Sequence, residues 1–214
     1  MMSELKVQDN TSVIYTIEPH IETLHCIIGA HAQLNVLHMQ QPDTTKLRII
    51  CEQQTASSLL IHGWYPYSID LHLEIRLQGN GARAEIKIGR KGVETSIMRM
   101  TSLQRHEAPG TMSRLICKTI LTESAQTLHE GMIHITHEAE NTQAALRSHH
   151  MLLSEKAHAR VQPNLEVLTD RVQCAHASAI GTFDPEMLFY MQVRGLDITS
   201  ATCLLEEAFF AEVR

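Results

Sequence analysis

The sequence predicts an all-β body closed by a short C-terminal helical region, and the body reads as a β-solenoid. Three observations predict it. Apolar and polar residues alternate with period two in successive short runs, the mark of half-buried strands. Turn residues separate the runs, with almost no helical spacing between them. Small residues recur at strand positions (Ala82, Ala84, Ala144, Ala157, Ala159, Ala175, Ala177, Ala179) while only 4% of residues are aromatic, which suits a stacked coil with a narrow interior better than a sandwich. No exact repeat period is readable.

Residues 1–20 are polar and weakly patterned, with Asp9-Asn10-Thr11-Ser12 and Pro19, and read as a tail or an edge segment. The β core is expected over 21–182. Leu71, Leu73, Ile75 and Leu77 alternate with His72, Glu74, Arg76 and Gln78; Gly79-Asn80-Gly81 breaks the run, and Ala82, Ala84, Ile86 and Ile88 resume it. Met132-Ile133-His134-Ile135 and Leu165-Glu166-Val167-Leu168 continue the pattern. The grammar changes at Phe183, so 183–214 form a helical region. Asp184-Pro185-Glu186 supplies an N-cap, a first-position proline and an acidic first turn, and Gly195 after Arg194 supplies the stop. A second helix starts at about Thr199, where Ala201, Leu204, Leu205, Ala208, Phe209 and Val213 follow helical spacing. Phe209 and Phe210 are adjacent and are not expected to face one core together, which leaves one of them, or one helix face, for a partner.

At 214 residues and 43% hydrophobic, a single domain can bury about 70% of its unfolded surface without disulfides or a structural metal. Eighteen Lys and Arg against 24 Asp and Glu give a net charge of -6, not the basic field that nucleic acid requires. No apolar stretch approaches the ~20 residues that cross a bilayer, and the start Met1-Met2-Ser3-Glu4-Leu5-Lys6 lacks the basic and apolar regions of a signal peptide. A cytoplasmic protein without nucleic-acid or membrane partners is expected. The five cysteines (Cys26, Cys51, Cys117, Cys174, Cys203) are odd in number and contain no C-x-x-C pair, consistent with a reducing compartment.

No phosphate-binding glycine loop, dinucleotide fingerprint, H-E-x-x-H or G-x-S-x-G elbow is present, so enzymes with those signatures are excluded. One constellation carries chemistry. In Cys174-Ala175-His176, residues i and i+2 of a strand project to one face, setting a thiol beside an imidazole as donors for iron or zinc. Two ligands do not close a site, so a partner chain, an exogenous thiol or sulfide must supply the rest. The competing reading is a small buried cysteine beside a satisfied histidine. His134 and His137 would share a face only on a helix; on the expected strand they point apart. The remaining members of the 14 histidines lack ligand spacing.

The runs Leu152-Leu153-Ser154-Glu155-Lys156-Ala157, Gln162-Pro163-Asn164-Leu165-Glu166-Val167, Val172-Gln173-Cys174-Ala175-His176-Ala177 and Leu188-Phe189-Tyr190 with Arg194-Gly195 resemble, in order and spacing, the SufB/SufD family of iron-sulfur cluster assembly proteins. The resemblance is specific from about Arg147 onward, looser through Arg105-His106-Glu107-Ala108-Pro109 and the 71–88 strand pair, and fades before about Asp70. It implies a right-handed parallel β-helix with C-terminal helices, a SufB-like mate along the β-helix and a SufC-like ABC ATPase docked at the helical end. Phe189, Tyr190, Leu204, Leu205 and Phe209 are the partner-binding candidates there. The family histidine thought to meet the nascent cluster between the two β-helices maps to His176, with Cys174 as an auxiliary thiol. The SufB branch reads Glu-His-Glu-Ala at this position and carries its cysteine about a rung earlier, where this chain has Arg147-Ser148-His149-His150, so the SufD branch is favoured. Ala175 and Ala177 replace the usual Ser and Gly, Arg171 replaces an Asp, and the N-terminal helical region and first rungs of a full SufD have no counterpart.

The expectation is a non-enzymatic SufD-like subunit holding an iron-sulfur cluster or iron only transiently at a subunit interface, with ATP entering only through the partner ATPase. The rivals are a self-sufficient homodimeric metal or cluster carrier pairing with a second copy of itself, a β-helix carbohydrate binder, which lacks its clustered carboxylates and aromatics, and a purely structural scaffold.

Overall fold

In the computed structural model, which describes residues 1–214, the period-two runs become fourteen strands. In chain order they are β1 (Met2–Val7), β2 (Ser12–Thr16), β3 (Thr23–Ile28), β4 (Gln33–Met39), β5 (Lys46–Gln53), β6 (Ser58–Trp64), β7 (Ile69–Leu77), β8 (Arg83–Gly92), β9 (Ile97–His106), β10 (Met112–Leu121), β11 (Gln126–Ile135), β12 (Thr142–Leu152), β13 (His158–Val167) and β14 (Val172–Gly181). Odd strands build one seven-stranded sheet and even strands the other, each in sequential order, and every pairing is parallel. This is a parallel β-solenoid of seven coils. Residues 1–20 hold β1 and β2, which pair with β3 and β4 as the outermost coil.

Each of the first six coils turns from the first sheet to the second through a residue in the left-handed region: Asn10, His31, Ala56, Gly81, Gly110 and Asn141, with φ between 51° and 70°. The amide of each donates to a carbonyl of the next coil, Asn10 to Ala30, His31 to Thr55, Ala56 to Asn80, Gly81 to Pro109, Gly110 to Glu140 and Asn141 to Arg171, at 2.7 to 3.1 Å. The corner is thus a hydrogen-bonded ladder at right angles to the strands. Its sequence spacing grows from 21 residues (Asn10 to His31) to 31 (Gly110 to Asn141), while the strands lengthen from 6 and 5 residues to 10. A drifting repeat with a variable corner residue leaves no period to read.

The interior is aliphatic in the early coils, where Leu24, Ile28, Leu34, Val36, Ile49, Ile61 and Leu73 are fully buried. In the later coils the same inward positions become polar and bond one another. His129 meets Ser102 (3.0 Å) and Ser148 (2.9 Å), His150 meets Thr119 (2.7 Å), and His106 meets Thr111 and Ser113 (2.8 Å each). Arg90, wholly buried, donates to the carbonyls of Tyr65, Tyr67 and Ser96 and to the Ser96 hydroxyl.

The chain ends in α1 (Pro185–Val193) and α2 (Ile198–Phe210), capped by Asp184 and Asp197. α2 lies on the outer face of the second sheet. Phe210 packs edge-on against Trp64 with ring centroids 4.8 Å apart, joined by Ile116, Ile120 and Val213. Glu206 pairs with Lys91 (2.5 Å) and Glu212 with Arg114 (2.9 Å) and Lys118 (3.0 Å). α1 has no buried residue.

Two stability predictions follow from the corners and the interior histidines. A Cβ on Gly81 meets nothing within 4 Å, so Gly81→Ala isolates the cost of positive φ. It should destabilise by about 1 kcal/mol, and Ala56→Gly should stabilise by a similar or smaller amount; equal urea midpoints for the two variants would contradict the corner assignment. Burial, the largest cause in each case, lowers the pKa of His106 and His150 to about 4 and of His129 to about 3. The fold therefore disfavours the charged form. Their stabilisation is complete above the unfolded value near 6.5 and lost as pH falls from there towards 4, a loss of about 2 kcal/mol per histidine at pH 5. Urea unfolding at pH 7.5 and pH 5, above the main carboxylate range, should show this fall, and a flat profile would refute it.

Candidate functional site

β14 is the last strand of the second sheet, and its register on β12 sets Cys174 beside Ala144, His176 beside Leu146 and Ser178 beside Ser148. Along β14, Val172, Cys174 and His176 are half-buried while Gln173, Ala175 and Ala177 are exposed. Cys174 and His176 therefore share the inward face. Ala177 sits in regular pairing opposite Arg147, so its methyl does not distort the strand at His176.

No strand lies beyond β13 or β14, which leaves the last coil's interior open to solvent. Leu165 and Ile180 are 51% and 49% exposed. Cys174 packs against the main core cluster, and Nε2 of His176 is buried without a hydrogen-bond partner. Burial lowers the His176 pKa and raises that of Cys174. At neutral pH the site thus presents a neutral imidazole, ready to ligate, and a protonated thiol that must release its proton to do so. No three His, Cys, Asp or Glu side chains converge to hold a metal ion. The pair is at most half a coordination shell.

Behind this edge stand His129 and His150; the charges of both His150 and His176 contribute to the lowered pKa of His129. The sequence reading missed this polar interior. The signal was available: Ser102, Gln104 and His106 on β9, Thr127 and His129 on β11, and Ser148 and His150 on β12 occupy the inward parity where aliphatic residues stand earlier. His134 lies on β11 with Nε2 3.6 Å from Glu166, whereas His137 falls in the turn after the strand.

The two sheet edges at this end differ. Pro163 interrupts the amides of β13, whereas β14 contains no proline over ten residues. The helical candidates also divide. Phe189 (67%), Tyr190 (58%) and Leu204 (45%) are exposed. Leu205 is buried, and Phe209 packs beside Phe210 at 5.3 Å with Lys118 over its ring. Both phenylalanines reach the same cluster, contrary to expectation. Neighbours on a helix are about 100° apart, and the last turn of α2 lies on the sheet so that both reach the cluster that includes Trp64.

Residues 3–209 match the family described as SUF system FeS cluster assembly, SufBD core domain. The chain is 24% identical over 197 residues to the iron-sulfur cluster assembly protein SufD of Escherichia coli (strain K12), covering 89% of this chain and 46% of that protein. It is 31% identical over 147 residues to an iron-sulfur cluster assembly SufBD family protein of Mycobacterium leprae (65% and 38%), and 24% identical over 170 residues to SufB of Bacillus subtilis (76% and 35%). The chain spans less than half the length of these curated relatives. No helix is long and apolar enough to cross a membrane. With a parallel solenoid, C-terminal helices and a match over nearly its whole length, the chain belongs to the SufBD core domain family of iron-sulfur cluster assembly.

Proposed function

We propose that this chain is a SufD-like, non-enzymatic subunit of a cytoplasmic iron-sulfur cluster assembly scaffold. The observation that carries the reading is the coincidence, on the terminal coil, of a partnerless imidazole nitrogen at His176, a thiol at Cys174 on the same face and an unpaired ten-residue strand edge at β14. The β14 edge takes a SufB-like chain. The cluster or its iron is cargo, bound where the mate completes the ligand set that His176 and Cys174 begin. A neutral imidazole and a thiol fit borderline metals, and the missing ligands fit a site shared between chains.

The exposed apolar side chains of α1 supply the dock for a SufC-like ABC ATPase. Phe189, Tyr190 and, from α2, Leu204 present apolar surface that the chain itself leaves uncovered. Leu205 and Phe209 belong to the body's side and hold α2 in place. ATP acts through the partner alone. A second copy offers another mate, since two β14 edges can pair about a two-fold axis and bring together two Cys-x-His sets.

Anaerobic reconstitution with SufB-like and SufC-like chains tests the ligand role. His176→Ala should reduce cluster yield roughly ten-fold and Cys174→Ala by less, with unchanged circular dichroism; wild-type yield from His176→Ala would remove His176 from the mechanism. Clusters formed by this chain alone, in a two-fold dimer, would favour the second copy over SufB. Phe189→Asp should abolish ATPase co-purification while shifting stability by no more than about 0.5 kcal/mol, because the side chain is solvated already; retained binding would move the dock off α1.

A further inference from the structure

The ligand chemistry gathers in the later coils, and the two earliest cysteines stand apart from it. Cys26 on β3 and Cys51 on β5 are direct register partners on neighbouring strands. Both are 0% exposed on the inward face, with Leu5 of β1 and Ile75 of β7 next in the same column. Their chain neighbours His25 and Glu52 face outward and pair at 3.3 Å. The adjacency of His25 to Cys26 in sequence therefore brings no imidazole to the thiol. No other two of the five cysteines are register partners: Cys117 stands beside Ile88 and Ser148, Cys174 beside Ala144, and Cys203 lies on α2.

Paired strands run about 4.8 Å apart with in-register side chains projecting together, inside the 4.4–6.8 Å Cα separation that a disulfide spans. We infer that Cys26 and Cys51 form a latent disulfide site, a covalent staple between the second and third coils. The surroundings choose this chemistry over metal binding. A metal there would find two sulfur donors among Leu24, Ile28, Ile49 and Leu73 and nothing to complete its coordination shell, whereas a disulfide needs no further ligand. The Cys51 pKa is raised first by its hydrogen bond with Cys26 and then by burial, so in the closed stack Cys51 is held as an unreactive thiol.

The first coil gates the reaction. β1 and β2 are held by pairings of 6 and 5 residues, the shortest of any coil in the solenoid, so this coil opens readily. Opening lifts Leu5 from Cys26. The Cys26 thiolate then attacks a small-molecule disulfide such as oxidised glutathione, forming a mixed disulfide and releasing one glutathione thiolate. The Cys51 thiolate attacks the Cys26 sulfur and expels the second. Two protein thiols and one small disulfide become one protein disulfide and two small thiols, which carry the electrons and protons away.

The test uses the full chain with exposed Cys203 replaced (Cys203→Ser), incubated with oxidised glutathione and digested without reduction for mass spectrometry. The expected product is a Cys26–Cys51 linked peptide lacking two hydrogens, a melting midpoint raised by about 5 °C, and reversal of both by dithiothreitol. Leu5→Ala in the same background should form the link several-fold faster. Recovery of Cys26 and Cys51 as free thiols or as separate glutathione adducts, in both proteins and under conditions that modify Cys174, would overturn the inference.

Discussion

The backbone of each coil can be satisfied only by the coil beside it. In a parallel solenoid the strand amides and carbonyls point along the stacking axis, and a buried polar group left without a partner costs about 1–3 kcal/mol. Neighbouring coils must therefore stay in register through the corners as well as the strands, and the left-handed residues from Asn10 to Asn141 do this by donating to the following coil. Four of the six corners hold a residue other than glycine, and the ladder bond offsets the strain at Asn10, His31, Ala56 and Asn141. The same rule fails at the last coil, where no neighbour exists. The unpaired edge of β14 is a direct product of the construction that stabilises everything before it.

The narrow interior sets a second condition. Two sheets facing each other leave room for one layer of side chains, and the lengthening later strands hold more of it than aliphatic residues fill. Ser102, His129 and Ser148 bridge the two sheets as a hydrogen-bonded set, and Thr119 and His150 repeat the arrangement on neighbouring strands of one sheet. Each such bond contributes about 1 kcal/mol when complete, and each neutral histidine in it becomes a liability when protonated. The polar interior continues to His176, whose Nε2 has no partner. In the inner coils its column holds Leu146, Leu115 and Ile86, so the last coil sets an imidazole where earlier coils set aliphatic side chains.

Strand parity was legible in the sequence, and with it the shared face of Cys174 and His176 and the alternation over 71–88. The helical hairpin was legible too, because Asp184, Pro185 and Gly195 act locally. The coil repeat was not, since its spacing drifts and its corner residue changes from Asn to His, Ala and Gly. Residues 1–20 hid two strands because the alternation is broken in both: Ser3 stands on the inward face of β1, and apolar Ile14 stands outward between Val13 and Tyr15. The histidine network was hidden by its own success: polar residues at inward positions imitate a solvated face until the topology shows what they meet. Phe209 reads as an outward residue because the cluster that receives it is built around Trp64, 145 positions earlier in the chain.

The placement of the hairpin bears on how the two ends of the proposed function communicate. α2 is fastened to β8 and β10 by Phe210 against Trp64 and by Lys91, Arg114 and Lys118 to Glu206 and Glu212, and it has little freedom to move without breaking these together. α1 is held only by its junctions and its contact with α2. Between Gly181 at the end of β14 and Pro185 at the start of α1 the chain has three residues, one of which, Phe183, packs into the α2 cluster. A load applied to α1 therefore reaches two places: the anchored α2, which resists, and the β14 backbone, which has hydrogen-bonded support on one side only. Phe183, seated in the α2 cluster, stands between α1 and β14, so an ATPase pulling on Phe189 and Tyr190 would act on the strand that carries His176 and Cys174 only through that anchor.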